Sequence, residues 1–422
     1  AYYLVQLRSI LEKGSLGFPD MPLYFYFLAG LHRLISWLTS LDSYFICLHL
    51  VKFIGAILIP IALIPWYFIV AELRPRRIPL AVEVLLGLML TCSFTPLLML
   101  GNFQKNAFAI SFILGLILWT IRYFKTKKPM YILGITAFFL LILISHFGSL
   151  AFSLLLAAIT ILICQGKKSW FPLLGLGVIT LTVLLILDPI RANRLFFIIS
   201  EIFQRPAIFY SGKPYYILTP ISYVILLLGL VYYHQFAKDL RDYERLLIKV
   251  CLWVIGIITF PFLEAEYARR LSLMLFIPQA LLLFFIWQLP WPKIKKALAI
   301  SLAVYIGLSV TVIYLIKRPT LSEPIYADLE RIETIIKDRK KTMIVARHGL
   351  EWWVSWSLGT KVANGWGVHP SLLNKYEPVL FIEQKNNVPL RGLAYFKDPK
   401  PKVGKLVEIY SSRHFKVYEW SL

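Results

Sequence analysis

The apolar residues of this chain gather in blocks of about 20, and no other feature limits its fold as tightly. A helix of that length crosses a hydrocarbon core of roughly 30 Å. Lipid offers backbone amides no partner, so such blocks must be helical. Ten blocks read as spanning helices: 44–70, 79–99, 106–123, 130–146, 148–165, 170–187, 215–235, 246–263, 271–288 and 297–316. Composition agrees, since 58% of the 422 residues are hydrophobic and the mean hydropathy is +0.69. A soluble globular domain sits nearer about 45–50% apolar.

The net charge of +22 does not point to nucleic acid, because the basic residues form short clusters between apolar blocks. The clusters are Arg74/Arg76/Arg77, Arg122/Lys125/Lys127/Lys128, Lys167/Lys168, Lys238/Arg241/Arg245/Lys249 and Lys293/Lys295/Lys296. They occupy every second loop, and the positive-inside rule places all five in the cytoplasm. Residues 1–43 are then an extracytoplasmic loop. Its stretch 22–40, with His32 and Arg33 in the middle and aromatic residues around them, reads as a helix lying in the interface. A genuine span there, putting residues 1–20 inside, stays open.

The same orientation puts everything after Lys317 outside. Residues 317–422 change character and read as a small extracytoplasmic α/β domain. Its expected elements are a helix at 323–337, a strand at 342–347, a Trp-rich turn or helix at 349–358, a strand at 378–384 and a hairpin near 405–420. The fold class is therefore a polytopic α-helical membrane protein with a small C-terminal α/β domain, expected in the cell membrane as a multi-pass protein. Cys47, Cys92, Cys164 and Cys251 all fall in apolar blocks, which gives neither a disulfide framework nor zinc spacing. The chain starts at Ala1 without an initiator Met and reads as an N-terminally truncated fragment.

Acids and bases converge on the outer side. They include Glu12 and Asp20, then Asn102, Gln104, Lys105 and Asn106, then His146. Loop 188–214 adds Asp188, Arg191, Arg194, Glu201, Arg205 and Lys213, and loop 264–270 adds Glu264, Glu266, Arg269 and Arg270. Ionisable groups at membrane depth usually face a cavity or one another. A substrate with a charged head and a lipid tail suits this pattern. Each residue also has a plainer role: snorkelling for Lys105, Arg269 and Arg270, helix capping for His146, and local pairing for Glu264 and Glu266.

The opening AYYLVQLRSILEKGSLGFPDMPLYFYFLAGLHRLI resembles the first extracytoplasmic loop of the GT-C superfamily of membrane glycosyltransferases. FTPLLMLGNFQKNAFAI, LISHFGSL and EAEYARRLSLMLFIP are similar to later outer turns of that superfamily. HGLEWWVSW resembles the paired tryptophans of the oligosaccharyltransferase WWD motif, but Val354 stands where the Asp would be. Recognition of an acceptor sequon therefore does not carry over. Similarity of layout covers most of residues 1–316, and motif-level similarity only a few dozen of them.

The resemblance implies transfer of a sugar from a polyprenyl-phosphate carrier to a lipid, glycan or protein acceptor outside the membrane. It implies Asp20, Glu264 and Glu266 as candidate catalytic acids, and Lys105, Asn106, His146, Arg269 and Arg270 as ligands of the donor phosphate. It also places a further catalytic Asp and one spanning helix upstream of Ala1. Some members hold a divalent metal ion through acidic residues, and no cofactor is assigned here. A transporter, a non-catalytic scaffold for cell-envelope glycan assembly, and a polysaccharide polymerase or ligase are the rival readings. The Trp-rich stretch 352–366 suits either sugar stacking or plain packing.

Overall fold

The computed structural model describes residues 1–73, 78–101, 103–189, 192–193, 200–210, 213–317, 321–364, 368–385 and 398–421. Arg74, Arg76, Arg77, Asn102, Arg191, Arg194 and Trp366 lie outside the described residues, as do the side chains of Lys167 and Lys213. The chain divides into two compact units. One holds residues 18–313, and the other joins residues 1–17 to residues 314–422. The segment 1–43 is thus divided after Gly17.

The larger unit is helical. Among the described residues, seven helices are long and apolar enough to cross a membrane: Ser43–Leu73, Leu80–Met99, Gln104–Thr126, Phe147–Gln165, Trp170–Leu187, Leu218–Phe236 and Pro292–Ile316. Only 11% of the apolar 18-residue stretch in each of Trp170–Leu187 and Pro292–Ile316 is buried within the protein, so their apolar sides are left for lipid. The chain is a multi-pass helical membrane protein.

Three expected spans take other forms. The block 130–146 makes helix Met130–Leu143, whose 14 residues reach about 21 Å, short of the hydrocarbon thickness. The block 246–263 makes helix Asp242–Ile258, which starts four residues earlier because Glu244 closes a capping box on the Arg241 N–H. The block 271–288 makes helix Phe276–Ile286, which follows helix Ala265–Ser272 across a 57° bend inside the block. Helix Leu23–Leu38 has 16 residues.

Helix Gln104–Thr126 is the hub of the first half. It packs against Ser43–Ile61, Leu63–Leu73, Met130–Leu143 and Phe147–Gln165. Two glycines permit its close approach to Met130–Leu143. A Cβ on Gly115 would stand 2.5 Å from the Phe138 ring, and one on Gly134 would stand 2.1 Å from Trp119. In the second half, helix Phe276–Ile286 is buried along its whole length between Lys213–Phe236 and Asp242–Ile258.

The smaller unit carries a five-stranded sheet of β1 (Met343–Val345), β2 (Lys361–Ala363), β3 (Val379–Gln384), β4 (Lys405–Ser411) and β5 (Phe415–Ser421). The strand order is β2-β1-β3-β5-β4, with β2, β1 and β3 parallel and the rest antiparallel. Helices Glu323–Glu330 and Leu350–Leu358 cover one face through Leu329, Leu350, Val354 and Leu358, packed on Ile344, Leu380 and Val417. Trp420 closes the other face with Val345 and Phe381.

Helix Tyr2–Lys13 joins this unit. Arg8 donates to the Trp356 and Ser355 carbonyls at 3.0 and 2.8 Å, and its guanidinium lies over the Trp356 ring. It thereby satisfies the last carbonyls of helix Leu350–Leu358, where a cation also suits the helix dipole.

Candidate functional site

Proline brackets the segment 18–22 that carries Asp20, with Pro19 before it and Pro22 opening helix Leu23–Leu38. The Met21 N–H donates to Asp20 Oδ1 at 2.8 Å. Asp20 Oδ2 meets Lys105 Nζ in a direct ion pair. Both residues are buried, with 3% and 8% of their surfaces exposed. Lys105 is the second residue of helix Gln104–Thr126. The dipole there opposes a cation and favours the carboxylate that faces it. The Lys105 ammonium also lies 5.4 Å from the centre of the Phe25 ring.

The pair stands in a polar frame. Tyr24 donates its hydroxyl hydrogen to Gln104 Oε1 at 2.7 Å, and Gln104 Nε2 donates to the Val51 carbonyl at 3.2 Å. Gly55 makes room for that amide, since a Cβ there would come within 2.5 Å of Gln104 Nε2. Asn106 is buried beside Lys105, and among the described residues its Oδ1 has no hydrogen-bond partner. A buried acceptor left unpaired is destabilising unless something occupies it.

The turn 144–146 adjoins this frame, because the Leu23 N–H donates to the Ile144 carbonyl at 3.2 Å. His146 is the N-cap of helix Phe147–Gln165, its Nδ1 accepting from the Ser149 N–H at 3.2 Å. Asp20, Lys105 and Asn106 are thus brought together, with His146 on the neighbouring turn.

Glu264, Glu266, Arg269 and Arg270 form a second group on helix Ala265–Ser272, which packs against Phe147–Gln165. Glu264 is its N-cap, accepting from the Glu266 and Tyr267 N–H groups at 2.7 and 3.0 Å. Arg205 approaches the other Glu264 oxygen at 3.3 Å. Glu266 pairs with both Arg269 and Arg270, whose guanidiniums are largely exposed. Glu264 is thereby committed to the backbone, and Glu266 to holding two cations in place.

Tyr24, Phe25 and Gly55 escaped the sequence reading. Each sits in an apolar block, where an aromatic ring or a glycine is ordinary and no local pattern marks it.

An apolar cavity of about 380 Å³ lies where Gln104–Thr126 and Phe147–Gln165 face Met130–Leu143, Asp242–Ile258 and Phe276–Ile286. Leu116, Phe124, Phe139, Leu156, Tyr243 and Leu281 are among the residues around it. Leu116 stands 11 residues beyond Lys105, about 16 Å along the helix.

Among the described residues, no three His, Cys, Asp or Glu side chains are placed to hold a metal ion together. The described part of the site does not form a metal cage. No protein-family model matches the chain, and no curated protein matches it either.

Proposed function

We propose that the chain is a GT-C-like membrane glycosyltransferase, moving a sugar from a polyprenyl-phosphate carrier to an acceptor at the outer side of the cell membrane. In this reading the Asp20 and Lys105 end of the helices, and the C-terminal α/β unit, are extracytoplasmic. The observation that carries it is the buried Asp20–Lys105 pair beside the unmatched Asn106 oxygen. Desolvating two charges is expensive, and apolar replacements of such pairs are often neutral or stabilising. A paired carboxylate and ammonium at membrane depth are therefore better explained by chemistry than by stability.

Each group has a part in the reaction. The acceptor hydroxyl oxygen attacks the anomeric carbon of the donor sugar. The bond from that carbon to the phosphate oxygen breaks, and its electron pair leaves with the polyprenyl phosphate. Lys105 turns from Asp20 to the phosphate, and the released carboxylate takes the hydroxyl proton as general base. Arg269 and Arg270, held by Glu266, add positive charge for the departing phosphate. Asn106 accepts from a substrate hydroxyl, and His146 holds the neighbouring turn. The apolar cavity gives isoprenoid chain a place between the helices.

The reading is tested by incubating the protein in proteoliposomes with radiolabelled polyprenyl-phosphate sugars and following label into acceptor. Wild-type turnover that falls about 100-fold or more in Arg270→Ala supports it. Its failure is turnover that the variant leaves intact, or no transfer from any donor in the panel.

The 57° break between Ala265–Ser272 and Phe276–Ile286 favours one second reading. Transporters place substrates at broken helices. That reading predicts substrate flux across proteoliposomes without covalent transfer.

A further inference from the structure

The parallel half of the C-terminal sheet contains a switch point. Strands β1 and β3 are parallel neighbours, yet β1 leads through helix Leu350–Leu358 to β2 on one side, while β5 and β4, which follow β3, lie on the other. In open α/β sheets, ligands bind at the carboxyl ends of strands that part in this way.

Polar residues are linked to one another at those ends. Arg347 and His348 follow β1, Glu351 lies in the first turn of the helix, and Gln384 ends β3. The Gln384 N–H reaches Asp398 Oδ2 at 3.4 Å, and Asp398 Oδ1 stands 3.8 Å from Arg347 Nε, too far for a hydrogen bond. His348 Nδ1 lies 2.8 Å from Glu351 Oε1.

Among the described residues, five buried atoms of this group have no hydrogen-bond partner: Gln384 Oε1 and Nε2, Glu351 Oε2, Arg347 Nε and Asp398 Oδ1. Gln384 is 7% exposed and Glu351 is 2% exposed. Unpaired polar atoms at such depth are rare in folded proteins and call for a partner.

Their chemistry narrows the choice. Donors and acceptors are mixed, with Arg347 facing Asp398 and His348 facing Glu351. A phosphate offers acceptors alone and would face two carboxylates. A hydroxyl both donates and accepts, so a ring of hydroxyls can meet all five atoms.

We infer that the carboxyl ends of β1 and β3 bind a neutral saccharide, through Arg347, Glu351, Gln384 and Asp398. Burial pushes the carboxyls of Glu351 and Asp398 above the usual range, with His348 and Arg347 pulling each back in part. That suits hydrogen bonding to an uncharged ligand. The site stands apart from the transfer reaction proposed above and does not rest on it.

The test uses the full chain in phospholipid nanodiscs, free of sugar-based detergent. Binding to a glycan array is read first. Hydrogen exchange is then followed with millimolar free mono- and disaccharides, and with inorganic phosphate as the anion control. The expected result is binding of a subset of saccharides, with slowed exchange at residues 346–351 and 382–385. Gln384→Leu and Glu351→Gln each weaken that binding about tenfold or more, while the β3–β5 amides keep their protection. Glu351→Gln preserves shape, so a folding defect in the other variant leaves the test intact. The inference is overturned by no saccharide binding, by binding unchanged in a folded variant, or by phosphate protecting these amides where saccharides do not. Sugar transfer is not part of the readout, so failure of the transfer reading leaves this result standing.

Discussion

Asp20 and Lys105, 85 positions apart in the chain, meet as an ion pair inside the larger unit. The contact ties the segment before helix Leu23–Leu38 to the first turn of the hub helix. Lys105→Ala removes the cation that faces the buried Asp20 carboxylate, which should destabilise the protein by about 3–5 kcal/mol. Lys105→Met with Asp20→Leu should lose much less. Thermal unfolding of both variants in nanodiscs checks this. Equal losses would show that the pair itself holds the fold together.

Gly55 sits where Gln104 crosses to the Val51 carbonyl. Gly55→Val should push that amide aside, break its bonds to Val51 and Tyr24, and lower stability by about 1–3 kcal/mol. Faster exchange at the start of helix Gln104–Thr126 would report the displacement. Unchanged exchange there would mean that the frame has slack.

Helix Ala265–Ser272 depends on its cap. Glu264→Ala removes the acceptor of two N–H groups, at a cost of about 0.5–2 kcal/mol. In the proposed enzyme, transfer should fall as Arg269 and Arg270 lose their placement. Glu264→Asp should recover part of both losses. A variant with normal turnover and a melted helix would detach the two arginines from the reaction.

The hairpin of β4 and β5 is pinned by Asp328, which accepts from the Ser412 hydroxyl at 2.6 Å and from the His414 N–H at 2.9 Å. Burial pushes the Asp328 carboxyl up, but the bonds from Ser412 and His414 outweigh it and hold the group below its ordinary value. The unfolded carboxyl titrates near about 3.9. Its contribution to stability is therefore present above that value and lost as pH falls through the lower, folded one. Exchange at residues 411–415 should accelerate below about pH 4 in the wild type. Asp328→Asn should show weaker protection at neutral pH and a flatter acid response. An identical acid response in both would assign the effect to another group.

Much of the fold was legible because a membrane allows few solutions. Blocks 106–123, 148–165, 170–187 and 297–316 all fall on long apolar helices. Hydropathy could not show that 130–146 closes after 14 helical residues, or that 271–288 contains a bend, since both remain apolar throughout. In the C-terminal unit the strands at 342–347 and 378–384 and the final hairpin emerged at nearly their observed places. Strand β2 was missed because three residues, Lys361–Ala363, carry too little alternation to read.

The site was legible as residue types and not as partners. Lys105 and Asp20 each stood out as charges in apolar surroundings, yet no spacing rule links positions so far apart. Glu264 and His146 looked like chemistry for the same reason that they cap helices: a polar side chain at the end of an apolar block serves either purpose. The polar group at Arg347 and Gln384 gave no signal, because strand ends in a soluble unit are polar as a rule.

The most direct measurement separates donor binding from transfer. Asp20→Asn keeps the hydrogen-bonding shape and removes the base, so it should bind a polyprenyl-phosphate sugar normally while turnover drops about 100-fold or more. Lys105→Ala should lose donor binding as well. Asp20→Asn with wild-type turnover would contradict the account, because the carboxylate at its centre would then take no part in the reaction.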